Sequence, residues 1–206
     1  MREEAEKRQK LIICAREEFM EKGFMGASLR SICSKAGVTT GAVYFFFQDK
    51  DALFHAVVDG VLQSFLVALQ EHAREEFDED FSTYQHHVGD HDEVAVRLLN
   101  ILYDEYDAAI ILLTKASGSS CEHVLDDLIE ILEGYYKRLA SKYAASRPGK
   151  RIDPYMLHYM THVQVDGFVH LLTHVTDRGE ALRHMKSLMD FMVDGWLRYV
   201  LMDEAE

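Results

Sequence analysis

The sequence predicts an all-α protein with a small N-terminal head and a larger helical body. Apolar residues recur at helical spacing along most of the 206 residues, and the alternation typical of a strand does not persist anywhere. The chain has only two prolines, Pro148 and Pro154, so long helices are expected. Residues 1–50 hold nine Lys and Arg against seven Asp and Glu, whereas residues 51–206 hold thirteen against twenty-eight. This asymmetry indicates that only the head meets a polyanion.

Glycine and serine mark the first two helices of the head. The first helix is predicted over residues 4–22, because its apolar stripe ends before Gly23, a residue suited to a left-handed cap. Ser28 is a good N-cap for a short second helix, and Gly37 ends that helix. These signals place a short helix directly after a long one.

A third helix completes the head. It follows the turn from Gly37 to Thr39, with Thr39 or Thr40 as its cap, and runs to about Phe47. Two short helices joined by such a turn are typical of a helix-turn-helix, whose second helix enters the DNA major groove. Val43 and Phe47 are four residues apart and share the inward face. The aromatic residues between them are therefore turned partly or wholly outward.

The fourth helix, capped by Asp49, begins with a lysine at a position that invites an anion. Lys50 lies in its first turn, where the helix dipole disfavours a cation by roughly 0.3–1 kcal/mol. A DNA phosphate there would be bound by the lysine and by free backbone N–H groups. The alternative is a solvated lysine offset by Asp49 and Asp51.

The stretch SLRSICSKAGVTTGAVYFFFQDKDALF, preceded by AREEFMEKGFMGAS, contains I-x-x-x-A-G-V and then G-x-x-Y-x-x-F-x-x-K-x-x-L. Over about residues 10–60 it resembles the N-terminal domain of TetR-family transcriptional regulators. The resemblance implies a homodimer of about nine helices, with a helix-turn-helix DNA-binding domain at residues 1–48 and an effector-binding and dimerisation domain at residues 49–206. The implied partners are double-stranded DNA and a small-molecule effector of unknown identity. No cofactor and no membrane partner are expected.

By position, the resemblance places the DNA contacts at Ser28, Arg30, Thr39, Thr40, Gly41, Ala42, Tyr44, Phe45, Phe46 and Lys50. The hydroxyl of Tyr44 suits a phosphate, and aromatic faces suit sugars and thymine methyl groups. The family often has a histidine or another polar aromatic at positions 45 and 46. Here both are phenylalanine, and this departure weakens the transfer of any hydrogen-bonded base contact to those two sites.

Within the predicted body, an acidic, histidine-rich stretch at roughly residues 76–92 follows the fourth helix. The later helices are expected near residues 92–115, 121–146, 153–176 and 180–202. The resemblance places an effector pocket within helices four to eight. Candidate lining residues are Phe65, Tyr103, Tyr106, Tyr135, Met160 and His162. Aromatic residues and methionines at helical spacing also occur as ordinary core, so that alternative stays open.

The predicted helix 153–176 carries a row of polar residues spaced four apart, which are His158, His162, Asp166, His170 and His174. His158 with His162, or His162 with Asp166, has the spacing to hold a transition metal. The same helix is expected at the dimer interface, where histidines stack or hydrogen-bond, and a pH-sensitive interface is a third alternative. Weighing these, we predict no metal site.

The predicted function is a ligand-responsive, DNA-binding transcriptional regulator, acting as a repressor that a small-molecule effector releases from a palindromic operator. The alternative is a helical small-molecule or metal-binding protein without sequence-specific DNA binding. An enzyme is not expected, because the motifs HExxH and GxSxG, phosphate-binding glycine loops and Glu-x-x-His pairs are absent from the sequence. A charged N-terminus and the lack of a run of about eighteen apolar residues predict a cytoplasmic protein.

Overall fold

The computed structural model describes the backbone of residues 2–77 and 88–204, and the side chains of these residues except 76, 77 and 88–92. This part of the chain forms nine helices and two short strands. They are α1 (Arg2–Gly26), α2 (Leu29–Ala36), α3 (Thr40–Phe47), α4 (Lys50–Phe77), α5 (Val88–Asp104), α6 (Tyr106–Thr114), α7 (Val124–Ala145), β1 (Lys150–Ile152), α8 (Pro154–His174), α9 (Arg178–Tyr199) and β2 (Leu201–Asp203). The predicted all-α class is confirmed. The predicted acidic, histidine-rich stretch lies largely outside the described residues.

The caps predicted for the head are present. Gly23 interrupts α1 with φ 67° and ψ 172°, a conformation that residues other than glycine rarely adopt. The side chain of Ser28 accepts a hydrogen bond from the backbone N–H three residues on, and Gly37 ends α2 in the left-handed conformation. Thr39 occupies the N-cap position of α3, but its side chain makes no capping hydrogen bond. Asp49 Oδ1 accepts a 2.8 Å hydrogen bond from Ala52 N and so caps α4.

The chain divides into two compact units, and the first is larger than the three-helix head. It comprises residues Met1–Ser64 together with Asp104–Val124, so that α6 belongs to it. The rings of Phe19 and Phe24 meet the ring of Phe54 edge to face, with centroids 5.1 and 5.3 Å apart. Phe24 N also donates a 2.8 Å hydrogen bond to Lys115 O. A segment distant in sequence therefore completes the core of the first unit. The functional boundary between residues 48 and 49 stays a prediction.

The second unit comprises Phe65–Tyr103 and Leu125–Glu206, and its core includes two clusters of buried side chains. The first cluster contains Leu139, Ala140, Tyr143, Leu157, Met160, Trp196 and Val200. The second contains Ala68, Leu69, Leu98, Ile129, Leu132 and Val165. Strands β1 and β2 pair antiparallel, with Lys150 opposite Asp203 and Ile152 opposite Leu201. This small two-stranded sheet was not predicted.

Two predicted body helices differ from those observed. The single helix expected over 92–115 is wrong, because the backbone leaves the helical conformation at Glu105 (φ −120°, ψ 46°) and two helices result. The carboxylate of Glu105 forms a 3.2 Å ion pair with Arg16 of α1, which lies in the same unit. The last helix ends at Tyr199 rather than near residue 202, because the chain there enters β2.

Helix α4 is the one helix among the described residues that is long and apolar enough to cross a membrane, by length and composition alone. The core helix of a soluble protein meets the same criterion. Leu53, Phe54 and Val58 on this helix are fully buried. Packing in the protein core accounts for the apolar character of these three residues.

Two glycines should respond in opposite ways to replacement by alanine. Gly118 has φ 84°, and a Cβ added there would lie 2.6 Å from Cγ of Met25. Gly118→Ala should therefore lower the free energy of unfolding by about 1–2 kcal/mol. Gly134 lies within α7, and an added Cβ would meet nothing within 4 Å. Gly134→Ala should raise the free energy of unfolding by about 1 kcal/mol. Urea denaturation followed by circular dichroism measures both changes, and equal stabilities would contradict the described loop.

Candidate nucleic-acid interface

Helix α3 buries one face and exposes the other. Val43 and Phe47 are 0% and 5% exposed, as predicted for its inward face, whereas Tyr44 and Phe45 are 62% and 72% exposed. Phe46 is half-buried, and its ring meets that of Phe45 edge to face at 4.9 Å. Two large aromatic side chains thus stand in solvent on a helix whose other side is anchored in a core. Such a surface is typical of a binding site rather than of a simple exterior.

The remaining predicted contact residues lie at the beginnings of α2 and α3. Ser28, Arg30, Thr39, Thr40 and Gly41 are exposed, and Ala42 is half-buried. Hydroxyl, guanidinium and backbone N–H groups at helix N-termini are the usual donors to DNA phosphates. The structure therefore leaves these groups accessible. Their contact with DNA stays a prediction.

Lys50 has a role that the sequence did not indicate. Its ammonium donates hydrogen bonds to Phe24 O at 2.8 Å and Ala27 O at 3.4 Å, and lies 4.4 Å from the centroid of the Phe24 ring. The lysine is therefore half-buried and holds the end of α1. It is not the solvated lysine considered as the alternative, and its phosphate contact stays a prediction. Carbonyl groups left unpaired where α1 stops are the signal that could have indicated this role.

A buried carboxylate fixes α2 against α1. Glu18 is 0% exposed, and its oxygens accept hydrogen bonds from Lys22 Nζ at 2.7 Å, Ser31 Oγ at 2.8 Å and Ser28 N at 3.4 Å. Lys35 Nζ, at the other end of α2, lies 3.1 Å from the second oxygen. One carboxylate of α1 thus contacts both ends of α2. Sequence analysis missed this residue.

Glu18 remains ionised although it is buried. The hydrogen bond from Lys22 is the largest influence on the pKa of this carboxyl, and it acts against the effect of burial, which raises the pKa. Further hydrogen bonds from Ser31, Lys35 and the backbone of Ser28 bring the pKa to about 2, below the ordinary value of 4.5. The ion cluster therefore persists at neutral pH.

A second polar cluster in the first unit ties α4 to the loop after α6. His55 Nδ1 lies 2.7 Å from Asp59 Oδ1, and His55 Nε2 lies 2.7 Å from Ser120 Oγ. These are the distances of a serine hydrolase triad. However, Ser120 N donates a 3.0 Å hydrogen bond to Asp51 Oδ1. A carboxylate at that N–H would repel an oxyanion, so the cluster serves as a clamp between α4 and the loop.

The predicted effector residues are divided between the two units. Tyr106 lies in the first unit, where burial raises the pKa of its phenol. The others lie in the second unit, where Phe65 and His162 are half-buried and Tyr103, Tyr135 and Met160 are buried. Tyr103 donates its hydroxyl hydrogen to Val175 O. Within the described part of the chain, the buried atoms Tyr135 Oη and Trp196 Nε1 have no hydrogen-bond partner.

Residues 11–57 match the sequence profile described as bacterial regulatory proteins of the tetR family. The HTH-type transcriptional repressor BepR of Brucella suis biovar 1 (strain 1330) is 39% identical over 56 residues, which are 27% of each protein. The HTH-type transcriptional regulator YvdT of Bacillus subtilis (strain 168) is 30% identical over 138 residues, or 65% of this chain and 63% of that protein. The chain thus matches between about a quarter and just under two thirds of these relatives' lengths.

Solved structures resemble the chain over a greater length. NalD, the secondary repressor of the MexAB-OprM multidrug efflux pump in Pseudomonas aeruginosa, has a TM-score of 0.61 at 21% identity, covering 93% of this chain and 98% of that one. The TetR family transcriptional regulator PfmR from Thermus thermophilus has a TM-score of 0.60 at 14% identity, covering 90% and 94%. At these identities the likeness shows a shared fold.

A three-helix head with an exposed α3, followed by a longer helical region, defines a helix-turn-helix protein. The head pattern, the sequence relatives and the fold agree on one group within that class. The head at residues 11–57 is of the tetR family of bacterial regulatory proteins, and the chain shares the fold of NalD and PfmR.

Replacing Glu18 should destabilise the protein in a pH-dependent way. At pH 7, Glu18→Gln should lower the free energy of unfolding by roughly 2–3 kcal/mol, because the lysines and hydroxyls lose a charged acceptor. A carboxyl whose folded pKa is lowered contributes stability above its unfolded pKa and loses it as the pH falls through the folded pKa. The difference between wild type and variant should therefore shrink between pH 4.5 and about 2.

The matched control is Glu17→Gln, since Glu17 is the exposed neighbour. It should change the free energy of unfolding by less than about 0.5 kcal/mol. Denaturant titrations at several pH values measure both variants. A Glu18→Gln protein as stable as the Glu17→Gln protein at pH 7 would show that the buried cluster does not hold α2.

Proposed function

We propose that the protein is a ligand-responsive, DNA-binding transcriptional regulator of the cytoplasm that acts as a homodimeric repressor. One observation carries the proposal. Helix α3 is anchored by Val43 and Phe47 and presents Tyr44 and Phe45 to solvent within a matched TetR-type head. The proposal includes no catalytic activity. BepR and NalD are both named as repressors, which supports the direction of control.

The groups accessible on the head suit a mixed polar and apolar contact with a major groove. Arg30 at the start of α2 and the hydroxyls of Thr39 and Thr40 at the start of α3 would bind phosphates. Phe45, with no hydrogen-bonding group, would pack on sugars or thymine methyl groups. The hydroxyl of Tyr44 adds a donor on the same short helix. Orientation on DNA would thus come from α2 and the start of α3, and sequence preference from the aromatic residues.

Regulation would follow from dimer geometry. Two heads of a homodimer would enter successive major grooves of a palindromic operator, about 34–36 Å apart or a multiple of that distance. An effector that binds more tightly to a conformation with a different head spacing would lower the affinity for DNA. The loss of free energy of DNA binding would be limited by the difference between the effector's binding free energies for the two states.

The second unit offers two buried groups to an effector. Tyr135 Oη and Trp196 Nε1 lack partners within the described part of the chain, and a buried polar group without a partner costs about 1–3 kcal/mol. The aromatic ring of Tyr136 lies between them, 5.2 Å from that of Tyr135 and 6.3 Å from that of Trp196. An effector with hydrogen-bond acceptors could accept from these two groups, and a flat apolar part could pack against the aromatic rings.

The proposed operator contact predicts a specific loss on removal of Arg30. DNase footprinting on the DNA flanking the protein's own gene should show a palindromic site. Arg30→Ala should weaken operator binding about tenfold and make the slope of log K against log salt shallower by about one, because one phosphate contact is lost. Titrations of labelled operator DNA at several salt concentrations measure both quantities.

Arg183→Ala is the matched control, since Arg183 is an exposed arginine of α9 and its removal changes the net charge equally. Its affinity and salt slope should equal those of the wild type. Equal effects of the two variants would reduce the contact to net charge alone. Binding that is salt-sensitive but blind to sequence would instead support a helical small-molecule or metal-binding protein without sequence-specific DNA binding.

Two of the buried tyrosines of the second unit, Tyr103 and Tyr135, should differ in their response to loss of the hydroxyl. Tyr135→Phe should leave the melting temperature unchanged or raise it, because it removes a buried group that lacks a partner in the described part of the chain. Tyr103→Phe should lower the melting temperature, because Tyr103 donates a hydrogen bond to Val175 O. The expected loss in the free energy of unfolding is about 1 kcal/mol. Thermal denaturation without effector measures both, and a greater loss for Tyr135→Phe would show that its hydroxyl already has a partner.

A further inference from the structure

Helix α8 carries two histidines that meet a carboxylate of α7. His158 and His162 are one turn apart, with ring centroids 4.5 Å apart, and His158 Nδ1 is hydrogen-bonded to Glu133 Oε1. One ligand atom from each of the three residues lies within 4.8 Å of the other two. All three residues lie in the second unit. The contact between positions 133 and 158 depends on the packing of α7 and α8 and has no sequence signature.

The spacing of these atoms is close to that of a metal site. Zinc bonds to imidazole nitrogen and carboxylate oxygen are about 2.0–2.2 Å long, so tetrahedral ligands lie about 3.3 Å from one another. An ion would stand between His158 and Glu133 in place of their hydrogen bond, and both side chains would move to admit it. Glu133 and His162 are half-buried and His158 is exposed, so these side chains have room to adjust and solvent can supply a fourth ligand.

The composition of the cluster selects a class of ion. Two imidazoles and one carboxylate form a set that suits zinc and neighbouring divalent transition metals. Magnesium favours oxygen ligands in octahedral geometry and keeps several waters. The pair His170 and His174 on the same helix also stacks, with centroids 4.0 Å apart, yet no carboxylate joins them in a three-residue cluster among the described residues.

We propose that Glu133, His158 and His162 form a binding site for one divalent transition metal ion per chain. The ion would link α7 to α8 and replace the hydrogen bond between Glu133 and His158. The two histidines alone supported a prediction of no metal site, and the third ligand on a neighbouring helix is the observation that changes this interpretation. The inference goes beyond the proposed regulator, and its test requires no DNA.

The test is zinc binding to the full chain, without a histidine tag and after treatment with a chelator. Competition against a chromophoric chelator should give one zinc ion per chain. His162→Ala and His158→Ala should each weaken binding at least tenfold, and Glu133→Gln should weaken it about tenfold because the amide is a poorer ligand. Magnesium chloride at the same concentration should not compete with zinc.

The matched control is the double variant His170→Ala/His174→Ala, which removes two other histidines from the same helix. Its affinity for zinc should lie within about threefold of that of the wild type. Zinc should raise the melting temperatures of this variant and of the wild type equally. Circular dichroism of each variant without metal reports whether it is folded. Zinc binding that survives in both His162→Ala and Glu133→Gln, or that is lost in the double variant, would overturn the proposal. One ion for every two chains would overturn the assignment of all three ligands to a single chain.

Discussion

The orientation of α3 depends on how α2 is held against α1, and the carboxylate of Glu18 makes that contact. It is a buried anion that joins Ser28 and Ser31 at one end of α2 to Lys35 near the other. Because α2 and α3 are joined by a turn of three residues, fixing α2 largely fixes α3. Removal of a carboxylate from such a cluster leaves cations without an acceptor, which is more harmful than the loss of a surface ion pair. The exposed aromatic residues of α3 therefore rely on a charge that is itself inaccessible.

Several cations of the head serve its own structure. Lys22 and Lys35 neutralise Glu18, and Lys50 binds the carbonyl groups of Phe24 and Ala27 at the end of α1. Three of the nine Lys and Arg residues at positions 1–50 thus have partners within the head, which leaves fewer cations for phosphates. Binding to DNA would then depend on hydroxyl groups, backbone N–H groups and aromatic faces to an unusual degree. The moderate charge of residues 1–50 is consistent with this division of roles.

The second unit contains two kinds of polar group that could bind a ligand. Tyr135 Oη and Trp196 Nε1 are buried donors that lack partners in the described part of the chain, and Glu133 with two histidines forms a set of ligand atoms. Buried polar groups without partners lower stability until a ligand supplies the partner. Clustered metal ligands add stability only when an ion binds. A ligand that binds at either place would stabilise the folded body by mass action. A bound ligand would then shift the equilibrium between two conformations of the body if it bound one of them more tightly.

The sequence by itself determined the local structure of the head. The caps at Ser28, Gly37 and Asp49 and the inward face of α3 depend on groups within four residues of one another, which the order of residues specifies directly. Only the tertiary structure decided which groups of α2 meet the carboxylate of Glu18, and that Glu133 meets the histidines of α8. These outcomes depend on helices that are remote in sequence and adjacent in space. Helical spacing places Glu18 on the same face as Leu11 and Ala15, but no local pattern names the groups of α2 that meet its carboxylate.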